Sequence, residues 1–501
     1  MFKKILIANR GEIAVRVIRA CLDLGISPVA IYSETDRGAL HVRLAEEAQF
    51  IGNSPASESY LSIEAVLGAA RAAEVEAIHP GYGFLSENPS FARACEDAGF
   101  RFIGPSAAAL ALMGDKIASR KAVAQAGVPV IPGTADAVQS VEEAVSAAAE
   151  IGYPVMVKAS SGGGGKGLRL ASSEQDLRSV YGMARSEAES SFGDATIFLE
   201  KYLQQPRHIE IQVLGDLHGN LVHLGERECS IQRRHQKLVE EAPSPAVDED
   251  FRQELGAAAL SVARAAEYHN AGTVEFLVES SGAERSFYFL EMNTRLQVEH
   301  PVTEMVTGID LVREQIRIAA GEELGYLQGD VRLEGSAIEC RIYAEDSMND
   351  FLPSPGPILG LLEPGGAGIR NDSGVCLGSE VPVHYDPLIS KLIAFGKDRR
   401  QATTRMLRAL REYRIVGVKT TIPFFQALLG GPEFREGHLH TGLIESLLER
   451  TQESPDPDEL FPIIAAALEF HARSRSQMAE RSHSGSRWKY HGRIPAPFPG
   501  P

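Results

Sequence analysis

Residues Lys158–Gly167 read Lys-Ala-Ser-Ser-Gly-Gly-Gly-Gly-Lys-Gly and follow the apolar run Pro154–Val157. Gly162, Gly163, Gly164, Gly165 and Gly167 have no side chain to hold a ligand off the backbone. Their N–H groups can therefore cradle phosphate oxygens, with Lys158 and Lys166 supplying positive charge. A P-loop would need Ser or Thr after Lys166, where Gly167 stands, and a dinucleotide fingerprint would not carry lysines there. Taken alone, the run reads equally as a flexible linker. A second group sits in the hairpin Gly272–Phe276/Phe287–Asn293. Its turn, Ser280–Arg285, is centred near residue 283, so symmetric pairing sets Glu275 opposite Glu291. Two carboxylates opposed on a ladder repel. A divalent cation between them would remove that cost, and oxygen ligands with Asn293 two residues on suit Mg²⁺ or Mn²⁺ holding ATP phosphates. A register slip of one residue would instead turn one Glu to solvent.

Beyond Glu291 the chain reads Met-Asn-Thr-Arg-Leu-Gln-Val-Glu-His-Pro. In extended chain Arg295, Gln297 and Glu299 would share a face with Glu291 and Asn293, either as a solvated face or as the floor of an active site. The stretch Glu226–Glu240 adds Arg233, Arg234, His235 and Lys237, a cluster able to hold a triphosphate and a small anion, or an ordinary surface charge run.

These groups need a scaffold. Residues 3–8 read as a buried strand. Gly11-Glu12 opens a helix with apolar positions Ile13, Val17, Ile18, Cys21 and Leu24, and Pro28–Tyr32 is the next strand. That start predicts a doubly wound parallel sheet to about residue 112. The turn-rich patch His79–Asn88 is either turn chemistry or a loop lining a cleft. Helices and strands alternate around the glycine run to about residue 205, and the pattern then becomes antiparallel: Arg207–Leu214 alternates, Asp216–Asn220 turns, and Leu221–Gly225 returns. A helix at about 250–268 leads to the hairpin. Residues 330–449 read as a mixed α+β module. After Arg450 come a polar linker, an amphipathic helix at 459–480 and a tail holding the single Trp488.

The chain has 501 residues, enough for about three domains. Its formal charge of −17 argues against nucleic acid and anionic membrane surfaces, so any phosphate must be held by a local cluster. The five cysteines are scattered without a Cys-x-x-Cys, which points to a reducing compartment rather than a zinc or disulfide frame. The apolar start stops at Asn9-Arg10, too short for a signal peptide, and no apolar run spans a bilayer; a cytoplasmic protein is expected.

Five motifs now combine: Ile-Ala-Asn-Arg-Gly-Glu-Ile-Ala, His-Pro-Gly-Tyr-Gly-Phe-Leu-Ser-Glu-Asn, Gln-Arg-Arg-His-Gln-Lys, Glu-Met-Asn-Thr-Arg-Leu-Gln-Val-Glu-His-Pro-Val-Thr-Glu and Tyr-Asp-Pro-Leu-Ile-Ser-Lys-Leu. With them the chain resembles biotin carboxylase, the ATP-grasp component of biotin-dependent carboxylases, from Met1 to about residue 445. The resemblance implies a preATP-grasp domain (1–112), an ATP-grasp domain (113–328) with a mobile lid at about 130–203, and a C-terminal α+β domain (329–449); the segment 450–501 reads either as a partly disordered end or as a docking segment for a partner. It implies a reaction of ATP, bicarbonate and carrier-borne biotin giving ADP, phosphate and carboxybiotin. By motif position, Lys116, Lys158, the glycine run, Glu200, Lys201, Leu203, His208, Gln232 and His235 are implied nucleotide contacts. Glu275, Glu291 and Asn293 are implied metal ligands. Lys237, Arg295, Gln297 and Val298 match the bicarbonate pocket, Glu299 the general base, and Arg341 the group that stabilises the biotin enolate.

Two departures stand out. Ser161 replaces the first residue of a glycine run that is often five long, so altered lid mobility is expected rather than loss of ATP binding. The chain has no Met-Lys-Met biotinylation motif, so the biotin carrier and the carboxyltransferase are expected on other chains. The stretch Ser486–Arg493 resembles the start of a connector found in larger acyl-CoA carboxylase subunits. The family expectation is a homodimer. Acetyl-CoA is the default final acceptor, with other acyl-CoAs or pyruvate as alternatives. A different ATP-grasp ligase, joining a carboxylate to an amine, would share the loop and hairpin but not the Arg295–Glu299 and Arg341 positions. A non-catalytic paralogue would be expected to lack Glu275, Glu291, Glu299 or Arg341, and all four are present.

Overall fold

The computed structural model describes residues 1–134, 136–159, 168–281 and 284–452. The glycine run Gly162–Gly167 with Lys166, the helix expected at 459–480 and Trp488 lie outside the described residues. Residues 1–444 form one unit and residues 445–501 a second.

The chain starts with a parallel five-stranded sheet in the order Glu47–Gly52, Ser27–Ser33, Lys4–Ile7, Ala77–His79, Arg101–Phe102. The order reverses about the first strand, as in a doubly wound sheet. Its first crossover is the helix Gly11–Asp23, which buries Ile13, Val17, Ile18 and Cys21.

The second sheet has eight antiparallel strands, in the order Glu284–Asn293, Asn270–Ser281, Arg207–Gly215, Leu221–Arg233, Gln236–Ala242, Ser336–Tyr343, Leu388–Gly396, Ile369–Ser373. It runs without a break from the hairpin into strands beyond residue 330. The Leu221–Arg233 strand is longer than the return segment read from the sequence. Two bulges decide which side chains share a face. Gly225, at φ +79°, lies in the first, between His223 and Glu226. There the pairing steps by one residue, and Arg227 comes opposite Glu210. The second lies next to Glu275. Near its tip the hairpin pairs Ser281 with Glu284 and Phe276 with Phe289, a register that would set Leu290 opposite Glu275. The bulge inserts one residue and sets Glu291 there instead. Glu291, Glu275, Glu210 and Arg227 thus form one row across four neighbouring strands.

The third sheet, Leu168–Ala171, Val155–Ala159, Ile197–Lys201, is small and antiparallel. Helices Val141–Ile151 and Glu174–Phe192 accompany it. Its core, with Val155, Val157, Leu177, Ile197 and Leu199, is a separate apolar cluster.

Candidate active site

Arg227 is the hub of the floor. It is completely buried and uses all its donor nitrogens. Nε donates to Glu210, Nη1 to Gln212 Oε1 (2.7 Å) and Thr303 Oγ1 (3.0 Å), and Nη2 to Thr273 Oγ1 (3.0 Å) and Gln297 Oε1 (2.7 Å). One guanidinium therefore ties three strands to the segment entering the helix His300–Thr307. Sequence reading missed it, because an Arg between two Glu in a strand reads as surface alternation.

Lys237 projects above this hub. Its Nζ donates to Glu210 (2.5 Å), Glu275 (2.8 Å) and Glu299 (2.6 Å). Glu299 also accepts from Arg341 Nη2 (2.9 Å), and Arg341 Nε donates to Glu240 (2.6 Å). Burial alone would raise the Glu299 carboxyl, but Lys237, then Arg341 and Arg227, pull it far below the ordinary carboxylate range. It is ionised at any physiological pH.

Glu275 is saturated with donors. Besides Lys237 it accepts from Asn293 Nδ2 (2.8 Å) and Gln297 Nε2 (2.8 Å), and its other oxygen lies 3.0 Å from His208 Nε2. Burial works to raise its pKa as well, but Lys237 and His208 hold it well below the usual value. Glu291, opposite it, is raised by burial, by the charge of Glu275 and by Glu87, with Lys116 and His208 acting the other way. The opposed carboxylates therefore carry the repulsion anticipated from the spacing, and their oxygens suit a hard divalent cation. Asn293 is otherwise engaged: Nδ2 bonds Glu275, and Oδ1 accepts from Arg295 Nη2 (3.0 Å). The sets of His, Cys, Asp and Glu ligand atoms that close within 4.8 Å among the described residues are His208/Glu210/Glu275 and Glu210/Cys229/Glu299, neither including Glu291.

The extended strand expected through Arg295, Gln297 and Glu299 is corrected. The strand ends at Asn293, and a short loop leads into the helix His300–Thr307, with Pro301 in its first turn. The three side chains still converge, through the hub rather than through strand alternation. Arg295 Nε donates to Glu87 (2.9 Å), which also accepts from Thr294 N (3.0 Å), so the His79–Asn88 patch lines this site. Asn9 holds the patch in place, its Nδ2 donating to Pro80 O (2.8 Å) and Tyr82 O (2.7 Å). A side chain at Gly81 would strike Asn9 at 2.9 Å. The Val298 carbonyl accepts from the buried Lys391 (2.8 Å).

The basic cluster divides. Arg234 and His235 are the two turn residues between paired strands, at φ +50° and +66°. Arg233 and Arg234 reach Asp350 rather than the floor, while Gln232 pairs with Lys237 on the ladder. On the small sheet, Lys158 and Arg120 both engage the buried Glu200; sequence reading missed Arg120. Lys201 Nζ is tied to the carbonyls of Gly152 (2.8 Å) and Tyr153 (3.1 Å), and Leu203 and Tyr202 line a cleft with Pro132, Pro154 and Tyr288.

A small antiparallel sheet beside a broad antiparallel floor with opposed carboxylates is the arrangement of an ATP-grasp ligase. Three family models match: biotin carboxylase N-terminal domain at residues 1–110, carbamoyl-phosphate synthase L chain ATP-binding domain at 115–327, and biotin carboxylase C-terminal domain at 339–446. The chain is 52% identical to a pyruvate carboxylase subunit of Methanothermobacter thermautotrophicus, over 95% of this chain and 100% of that one. It is also 52% identical to a biotin carboxylase of Nostoc sp., over 89% and 99%. Among solved structures it resembles the biotin carboxylase domain dimer of Hydrogenobacter thermophilus 2-oxoglutarate carboxylase, in complex with MgADP, ADP and bicarbonate. The TM-score there is 0.86 at 51% identity, covering 89% of this chain and 98% of that one. The chain belongs to the biotin carboxylase family. No helix among the described residues is long and apolar enough to cross a membrane.

Proposed function

We propose that this chain catalyses ATP-dependent carboxylation of biotin on a separate carrier protein. The observation that carries the reading is Glu299, held ionised between Lys237 and Arg341 one step from the opposed Glu275 and Glu291. Lys116, Lys158 and the glycine run with its Lys166 would hold the triphosphate, together with His208, Gln232 and His235. Glu200, Lys201 and Leu203 receive the base. Glu275 and Glu291, supported by Asn293, would hold Mg²⁺ or Mn²⁺; when bound, the ion supplies charge neutralisation at the phosphates.

Bicarbonate enters against Lys237, Arg295, Gln297 and the Val298 backbone. Once Lys237 turns to that anion, Glu299 loses its strongest cationic partner and becomes a better base. It takes the bicarbonate proton as the anion attacks the γ-phosphate, giving carboxyphosphate and ADP. Carboxyphosphate is short-lived in water, so a closed lid is required. Carboxyphosphate cleaves to CO₂ and phosphate; the phosphate accepts the N1 proton of biotin, Arg341 offsets the enolate charge without changing its own protonation, and N1 bonds to the CO₂ to give carboxybiotin.

The first reading of the pathway is the opening half-reaction of an acetyl-CoA carboxylase, with transferase and carrier on other chains and a homodimer in a reducing, cytoplasmic compartment. The names of the relatives favour a second, in which a 2-oxo acid is the final acceptor. ADP release from Mg-ATP and bicarbonate, with and without free biotin and purified carrier, tests the core proposal. Strong stimulation by either is expected. Stimulation by neither, with ATP binding intact, would overturn it in favour of a carboxylate–amine ligase.

A further inference from the structure

Behind Arg341 lies a pair of carboxyls for which the reaction just described has no use. Glu240 and Glu339 are directly opposite each other on neighbouring antiparallel strands, and both are fully buried. Arg341, two residues along from Glu339, shares their face and is opposite Lys391 on the next strand. Glu240 gives one oxygen to Arg341. Its other oxygen, and both oxygens of Glu339, are buried without a donor among the described residues. Lys391 is committed elsewhere, 2.8 Å from Val298 O and 3.2 Å from Glu12. Three donorless carboxyl oxygens in one buried place cannot belong to two carboxylates without a large desolvation and repulsion cost. One proton removes both costs, since a carboxylic acid can donate to the carboxylate facing it.

We propose that Glu240 and Glu339 share one proton, carried by Glu339, and that Glu339 is thereby a positioning residue for Arg341. The proton sits on Glu339 because the Arg341 guanidinium favours the charged form of Glu240, whereas Glu339 makes no ion pair among the described residues. The acid proton fixes Glu240 Oε2, so Oε1 stays aimed at Arg341 Nε. It also limits the carboxylates competing for Arg341 to Glu240 and Glu299, leaving the guanidinium able to meet an enolate oxygen. Burial pushes both carboxyls upward, Glu339 the further. The charged and titratable groups facing the pair are Arg341, Lys391, Glu299 and Lys237, with Cys340 beside Glu339; His300, on the helix packed against this strand, is buried and held neutral. Loss of the Glu339 proton at high pH adds a negative charge beside Arg341, so biotin use should fall on the alkaline side.

This role rests on the proposed function. The test compares the native full-length protein with E339Q and E339L. Infrared difference spectra between native protein and E339Q, from neutral to alkaline pH, read the C=O stretch of a protonated carboxyl. The band is expected in the native protein at neutral pH and absent from E339Q. In biotin-dependent ADP release, E339L should lower kcat/KM for biotin by about tenfold or more, because a buried acceptor loses its donor. E339Q, whose amide still donates, should recover most of that loss but without the native alkaline limb. No protonated-carboxyl band in the native protein, or a native alkaline limb in E339Q, overturns the proposal. Unfolding of E339L, read as a lost melting transition, leaves E339Q and the infrared band to decide. A native protein that shows the band but no turnover would overturn the proposed function, and with it the role for Arg341, while leaving the shared proton standing.

Discussion

The floor and the small antiparallel sheet handle charge in opposite ways. On the floor, Arg227, Lys237 and Arg341 are interlocked with Glu210, Glu240, Glu275 and Glu299, and nearly every donor is spoken for across strands far apart in sequence. On the small sheet a single buried carboxylate, Glu200, gathers Lys158 and Arg120, and the apolar core beneath is its own cluster. A network in which each charge positions several others cannot shift one member without unpairing the rest. A module with its own core and few buried charges has fewer such partners to unpair when one member shifts. On the proposed function, the groups that would place a proton or stabilise an enolate sit where displacement is costly, and those that would grip a nucleotide sit where it is cheaper.

That contrast can be broken experimentally. The largest effect should come from E299Q, which removes the proton acceptor but keeps the shape. Bicarbonate-dependent ATP cleavage should fall by about 10²–10⁴-fold while ATP affinity, read by calorimetry, stays near native. Next, R227L should cost about 3–5 kcal/mol in a denaturant melt, because Glu210 is left buried and short of a partner. Loss of activity without loss of stability there would mean the floor is not interlocked. On the small sheet, K158Q should leave the melting temperature nearly unchanged and raise KM for ATP by about tenfold, with a smaller fall in kcat. A K158Q protein as unstable as R227L would erase the distinction between the two regions.

Mild acid should act on the first sheet and, through the buried imidazole of His300, on the floor, but not on the two lowered carboxylates. Burial holds the imidazoles of His41 and His79 neutral, with pKa values lowered from 6.5 to about 4 and about 3. Between those values and 6.5 the unfolded chain binds protons that the folded chain does not. Stability is therefore full above about pH 6.5 and declines as pH falls below it. Glu275 and Glu299, both lowered, keep their charge through that window. Melting followed by pH should show this decline, reduced in H79N; a flat profile down to about pH 4 would contradict it.

Much of this was legible in the sequence, for reasons that differ by residue. Local periodicity and turn residues revealed the parallel start, the Asp216–Asn220 turn and the hairpin. The opposition of Glu275 and Glu291 was legible only as symmetry about the turn; the structure reaches it through a bulge that no local pattern announces. The loop after Asn293 was misread as strand because alternating polarity resembles a pleat, whereas Pro301 and the helix behind it end the extension sooner. Arg227, Arg120, Glu240 and Glu339 were invisible as site residues, since each acquires its meaning from partners brought together only by the sheets. Whether Arg233 and Arg234 join Lys237 or form a surface run was open in the sequence for a related reason: a two-residue turn sends neighbours in sequence to different places.

The bulge beside Glu275 has a consequence for protein engineering. Ladder pairing on its tip side follows one register and pairing on its floor side another, so the bulge works as a phase boundary along the hairpin. Rungs added or removed in matched pairs beyond Val278 and Phe287, the outermost core residues of the hairpin, would leave Glu275 and Glu291 facing each other. The outer part of the hairpin is therefore a natural graft point for a reporter or a tether on the two carboxylates' own strands.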